Sequence, residues 1–156
     1  MERTLVVIKP DAVQRQLIGR IVARFEDKGL RVAALKLTQV AEPVAREMYR
    51  PHEGKHFYEP LVEFLTAGPV VTMVLEGLDA IAVVRKMLGR TTAREAEPGT
   101  IRGDFGMSQR YNLVHGSDSP ESARREIGLL FASGEMCEYQ APAARWVYAR
   151  LGDELI

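Results

Sequence analysis

The chain alternates between short apolar runs and segments whose apolar residues recur every three or four positions. Leu5-Val6-Val7-Ile8 is closed by Lys9-Pro10 and predicts a buried strand. Ile18, Ile21, Val22 and Phe25 share a helical face, and Lys28-Gly29 supplies its stop. Residues 30–40 alternate partially and predict a second strand. Two short helices are expected near 43–49 and 60–67, with His52-Glu53-Gly54-Lys55-His56 between them. Residues 69–75 predict a third strand, ended by Glu76-Gly77. Asp79 is placed to cap a helix whose apolar face is Ile81, Val84 and Leu88, stopping at Gly89. Residues 90–109 form a polar connection longer than most, which marks function or partner contact. Residues 111–115 predict a fourth strand. Ser119-Pro120-Glu121 then opens a helix with Ala123, Ile127, Leu130 and Phe131 on its buried face.

This order implies an α/β sandwich with a largely antiparallel sheet, not an alternating parallel one. The tail from 135 to 156 carries Tyr139, Trp146, Val147, Tyr148 and Leu151, too apolar to float free. With no linker, repeat or low-complexity block, a single domain over 1–156 is expected. Its C-terminal extension, from about 135, would pack on the domain or on a neighbouring subunit.

Composition narrows the class. At 156 residues the chain can bury roughly two-thirds of its unfolded surface without staples. Lys+Arg and Asp+Glu balance at 21 each, which argues against a nucleic-acid or acidic-membrane coat. The lone cysteine, Cys137, excludes an intrachain disulfide and suits a reducing compartment. No apolar run approaches membrane-spanning length, and Met-Glu-Arg-Thr does not begin a signal peptide, so a cytoplasmic protein is expected.

Three short motifs are weak. His52-Glu53-Gly54-Lys55-His56 spells the zinc pattern H-E-x-x-H, but Gly54, Pro51 and Pro60 read as a loop, and a third ligand is missing nearby. Asp104-Phe105-Gly106 and Arg102-Gly103-Asp104 match a kinase and an adhesion tripeptide without the accompanying context. No Walker loop is present, so any nucleotide phosphate is held otherwise.

Residues 112–128 (NLVHGSDSPESARREIG) carry a stronger signal. His115 ends a predicted strand, before Gly-Ser-Asp and a capped helix N-terminus that favours anions. A neutral imidazole there can attack phosphorus if an acceptor fixes its other nitrogen, and Glu126 is a reasonable orienting carboxylate. On the residues alone, a core histidine with Ser117 and Asp118 as mere caps competes equally.

The segment N-x-x-H-G-S-D-S-x-E-S-A resembles the active-site signature of nucleoside diphosphate kinases. The resemblance runs almost end to end, through Glu2-Arg3-Thr4-Leu5, Ile8-Lys9-Pro10-Asp11, Gly68-Pro69-Val70-Val71 and Pro98 to Phe105. It implies a ferredoxin-like βαββαβ sandwich, with a four-stranded antiparallel sheet and helical insertions. It also implies γ-phosphate exchange between nucleoside triphosphates and diphosphates, by a ping-pong route through a phosphohistidine at His115. Glu126 would orient the imidazole, with Ser117 in support. Lys9, Arg85 and Arg102 would neutralise phosphate charge, Thr91 would add a hydroxyl, and Tyr49 a phenol beside the histidine. Asn112 and Lys9 would hold the sugar, and Phe57 would stack on any base. Mg²⁺ would arrive on the nucleotide, with Asp118 assisting through water. A homo-oligomer is implied, hexamer over tetramer, with no membrane and no nucleic acid required. Thr92-Ala93, Gln109 and His56 depart from the family's pattern at positions bearing on assembly and nucleotide preference. A non-catalytic scaffold, a phosphocarrier acting on proteins and a metallohydrolase are the competing functions.

Overall fold

The computed structural model describes residues 1–141 and 144–156. Strand β1 (Glu2–Ile8) runs up the centre of a four-stranded sheet of order β2-β3-β1-β4, in which β2 is Arg31–Thr38, β3 Val70–Gly77 and β4 Val114–Gly116. Every pairing is antiparallel: Glu2 faces Gly77 and Ile8 faces Val71, and on the other side Val6 faces Gly116. Helices α1 (Pro10–Gln14) and α2 (Ile18–Asp27) join β1 to β2. Helices α3 (Glu42–Tyr49) and α4 (Tyr58–Thr66) form a hairpin before β3. Helices α5 (Ala80–Leu88) and α6 (Ile101–Phe105) lead to β4, and α7 (Pro120–Leu130) follows it. This is the ferredoxin-like βαββαβ order with the α3–α4 hairpin inserted.

Strand β1 is apolar from Leu5 to Ile8 because both faces are covered there. Val6 and Ile8 join a core with Ile21, Phe25, Met73 and Val84, while Leu5 and Val7 join a second one with Tyr49, Tyr58, Val74 and Phe131. Tyr58 thus anchors the hairpin, its hydroxyl donating to Arg46 O at 3.2 Å, and leaves Phe57 to face outward.

Four local expectations differ. Lys9-Pro10 ends the strand as expected, but the proline also begins α1 at its first position. The polar stretch 90–109 contains α6, whose N-cap Thr100 accepts from Gly103 N–H at 3.0 Å. Asp79 stands at the N-cap of α5 in the left-handed region (φ 48°) and makes no side-chain cap; Glu2 Oε2 accepts from Ile81 N–H at 2.9 Å in its place. Strand β4 covers only residues 114–116, because the backbone turns sharply at Leu113. Ser119 caps α7 as expected, accepting from Ser122 N–H.

The tail returns to the sheet. Cys137 N–H donates to Ala33 O at 2.8 Å, and Tyr139 Oη to Val32 O at 3.0 Å, at the point where β2 bulges between Val32 and Ala34. Beyond it lie α8 (Ala144–Val147) and a two-residue ladder of β5 (Arg150–Leu151) with β6 (Glu154–Leu155).

Candidate active site

A cleft of about 820 Å³ opens between the α3–α4 hairpin, the α5–α6 connection and the end of β4. Lys9, Tyr49, Phe57, Arg85, Thr91, Arg102, Asn112, His115, Asp118 and Glu126 all line it. The remaining expected residue, Ser117, is fully buried behind His115.

His115 projects from the middle of β4. Its Nε2 lies 3.0 Å from Glu126 Oε2, which also accepts from the Ser117 hydroxyl at 2.7 Å. Burial pushes the Glu126 carboxyl up, but the bonds from His115 and Ser117 and the nearby Arg125 outweigh it and leave it below its usual range. An ionised carboxylate only accepts, so Nε2 carries the proton and Nδ1 is left with the lone pair. The His115 side chain is 22% exposed and that of Glu126 only 5%, so the ring reaches the cleft while its orienting group stays behind it. Tyr49 stands edge-on to the imidazole at 6.2 Å and 87°, its phenol held protonated by burial and then by the Glu126 charge.

The floor is cationic. Lys9 is buried and donates to Asn112 Oδ1 at 2.8 Å; burial, then the Arg102 charge, lowers its pKa to about 8. The Asn112 amide in turn donates to Thr91 O at 3.0 Å and Gln109 O at 2.9 Å, so it joins three segments of chain. Arg102 is less free than the sequence implied. Its guanidinium donates to Asn112 O, Gly89 O and Val114 O at 3.2, 2.8 and 2.7 Å, and burial, then Arg85, lowers its pKa to about 10. Phe57 forms one wall, with the rings of His52 and His56 edge-on at 5.5 and 5.3 Å. Asp118 is held below the usual carboxylate range by the Ser122 hydroxyl foremost, then by Ser119 and Arg85.

The zinc pattern does not assemble. His52 ends a single 3-10 turn (Arg50–His52), Gly54 has φ 80°, and His56 lies before α4, so no helix brings the two imidazoles together. Among the described residues, no three His, Cys, Asp or Glu side chains converge as a metal site. The Asp104-Phe105 pair is structural: Asp104 accepts from Arg24 at 2.6 Å, and Arg20 lies 4.4 Å from the Phe105 ring centre.

Three cleft arginines, Arg94, Arg110 and Arg125, escaped the sequence reading. Arg94 sits in the polar 90–109 stretch, which has no periodicity to mark it. Arg125 shares a helical face with Ser122 and Glu126 and donates to Glu47 O and Met48 O, fastening α7 to the end of α3. The spacing 122, 125, 126 is the signal that would have found it.

A lone-pair nitrogen aimed into a water-accessible cleft, backed by a carboxylate and ringed by cations, is equipped to accept a phosphoryl group. The comparisons with known proteins give the lineage. The family model for nucleoside diphosphate kinase matches residues 2–136. A nucleoside diphosphate kinase of Bacillus licheniformis is 55% identical over 148 residues, covering 95% of this chain and all of that protein. One from Methanothermobacter thermautotrophicus is 50% identical, covering 95% of this chain and 99% of the relative. The structure of a halophilic nucleoside diphosphate kinase from Halobacterium salinarum in complex with CDP superposes with a TM-score of 0.92 at 48% identity, covering 94% of this chain and 98% of that one. The chain belongs to the nucleoside diphosphate kinase family.

Proposed function

We propose that this protein moves the γ-phosphoryl group of a nucleoside triphosphate, typically ATP, to a nucleoside diphosphate, with His115 as the covalent carrier. The observation that carries this reading is the Glu126–His115 bond, which leaves Nδ1 as the nucleophile. The Nδ1 lone pair attacks the γ-phosphorus and the bond to the β–γ bridging oxygen breaks. The diphosphate leaves, and a phosphohistidine remains. A terminal β-phosphate oxygen of a second diphosphate then attacks the same phosphorus, and the P–N bond breaks. Glu126 and Ser117 stabilise the positive imidazole as it forms, and Tyr49 stands beside the ring.

Lys9, Arg85 and Arg102 offset charge on the phosphate oxygens, with Thr91 adding a hydroxyl. Lys9 and Asn112 face the sugar. Phe57 stacks on the base without reading its donor pattern, which supports broad base and sugar tolerance. Glu126 is already engaged, so Asp118 is the carboxylate left to face a nucleotide-borne Mg²⁺ through water. Such an ion would neutralise charge on the bridging phosphates.

The unit of function is one domain, and we extend the proposal to a homo-oligomer, hexamer over tetramer. Leu35 and Leu37 on the edge strand β2 are 47% and 63% exposed, which supports contact between copies. No helix among the described residues is long and apolar enough to cross a membrane, and cytoplasmic residence is part of the proposal.

The test is incubation with γ-labelled ATP followed by an unlabelled diphosphate. The expected result is an acid-labile, base-stable protein label that the second nucleotide removes. His115→Ala abolishes it, and His52→Ala with His56→Ala leaves it standing. The reverse pattern would sink the proposal.

A further inference from the structure

The stretch before His115 breaks the rules of a strand. Along an extended chain, successive side chains face opposite ways, so positions 112 and 115 would lie on opposite faces. Here Asn112 and His115 both line the cleft, while Leu113 and Val114 both enter the core. The reversal comes from a three-residue turn: Val114 N–H donates to Asn112 O at 2.8 Å, and Leu113 at its centre has φ 75°. A γ-turn of this hand is rare and strained, and a side chain larger than glycine sharpens the strain. Something outside the turn must hold it.

Two charged side chains do. Asp11, in the first turn of α1, accepts from Leu113 N–H through Oδ2 at 3.1 Å. Arg102 brackets the turn from the other side, donating to Asn112 O and Val114 O. Lys9 N–H donates to Leu113 O at 2.8 Å and completes the enclosure. The other Asp11 oxygen, Oδ1, is buried with no partner among the described residues. A buried carboxylate oxygen left without a partner opposes folding and calls for a role that offsets the cost.

We propose that Asp11 is a positioning residue for phosphoryl transfer: with Arg102 it clamps the Leu113 turn, and so sets where Asn112 and His115 stand in the cleft. Asp11 does not line the cleft and touches no reacting atom. Its effect falls on the approach of Nδ1 to phosphorus, more than on retention of the nucleotide. The proposal rests on His115 being the phosphoryl acceptor.

The experiment is rapid-quench measurement of phosphoenzyme formation from γ-labelled ATP, on wild type, Asp11→Ala, Asp11→Asn and Asp11→Glu, with circular dichroism to give the folded fraction of each. Asp11→Ala should slow labelling about 100-fold, the order expected for a small misplacement of a reacting group. Half-saturating ATP should change by no more than about fivefold, far less than labelling slows, since Arg85, Thr91 and Phe57 are untouched and only the Asn112 contact to the sugar shifts. Asp11→Asn keeps an acceptor for Leu113 N–H and should stay within about fivefold of wild type. Asp11→Glu keeps the charge but moves the acceptor, and should lose about tenfold or more in labelling rate. It carries the test if Asp11→Ala does not fold. Wild-type labelling in Asp11→Ala or Asp11→Glu, or a loss no greater than the unfolded fraction, overturns the proposal. A wild-type protein that never labels on His115 overturns the parent reading instead.

Discussion

Lys9→Met should separate stability from nucleotide binding in a way that pH reveals. Lys9 is buried beside Arg102, and its pKa falls from 10.5 to about 8. That displacement corresponds to about 3 kcal/mol set against the folded state while the ammonium keeps its proton. The cost is present in full below pH 8, where folded and unfolded chains are both charged. Between pH 8 and 10.5 the unfolded chain binds the extra proton, so stability rises with pH across that window. For a chain of this size, about 3 kcal/mol is about 6–12 °C in melting temperature. Thermal melts at fixed protein concentration, from pH 7 to 10.5, should therefore show wild type climbing by that amount relative to Lys9→Met. Saturating ADP should flatten the climb, because a polyphosphate next to the ammonium restores its proton. Parallel curves for the two proteins, with or without ADP, would refute the reasoning.

Glu126→Gln replaces a charged hydrogen bond to His115 with a neutral one, a difference of about 1–1.5 kcal/mol. Rapid-quench labelling should slow about 5- to 13-fold with KM nearly unchanged. The depressed Glu126 carboxyl adds stability above its unfolded pKa that is lost as pH falls through the folded one. An acid titration followed by circular dichroism should accordingly be shallower in the variant. Phe57→Ala should raise KM for every diphosphate alike, about 5- to 150-fold from about 1–3 kcal/mol of stacking. A loss confined to one base, measured with four competing diphosphates, would contradict stacking as its role.

The legible parts of the fold were those where one local rule dominates. Strands β1 and β3 are buried on both faces over residues 5–8 and 70–75, so these apolar runs, broken only by the buried Thr72, could be little else. Helix α7 carries its cap, proline and acid in three consecutive residues. Strand β4 was read as 111–115 because Leu113 and Val114 look like strand residues, and a leucine at positive φ leaves no trace in sequence. Helix α6 has five residues, one of them glycine, too few to show a period. The cap of α5 comes from Glu2, 79 positions away, and no local signal carries that.

The candidate site divides the same way. His115, Ser117 and Glu126 fall within twelve residues, so their relation is written along the chain. Lys9, Phe57, Arg85 and Arg102 meet only because β1, the hairpin and α5 converge on β4; there the family resemblance supplied the grouping, and the fold supplies its cause. The backbone bonding of Arg102 was invisible, since nothing in a sequence separates a free guanidinium from one engaged with three carbonyls.

If copies of this chain meet at the β2 edge, as proposed, the bulge there limits how they can do so. With Ala33 O held by Cys137 N–H and Val32 O by the Tyr139 hydroxyl, the upper part of the edge strand is already occupied. What stays open is the short stretch around Leu35 and Leu37. An incoming strand can pair there over only a few residues, too few to permit sliding between registers. In such an assembly the tail would act as a ruler, turning a general adhesive edge into one address of fixed length. Removing it would expose a longer row of unpaired backbone groups, which favours disordered association over a closed assembly.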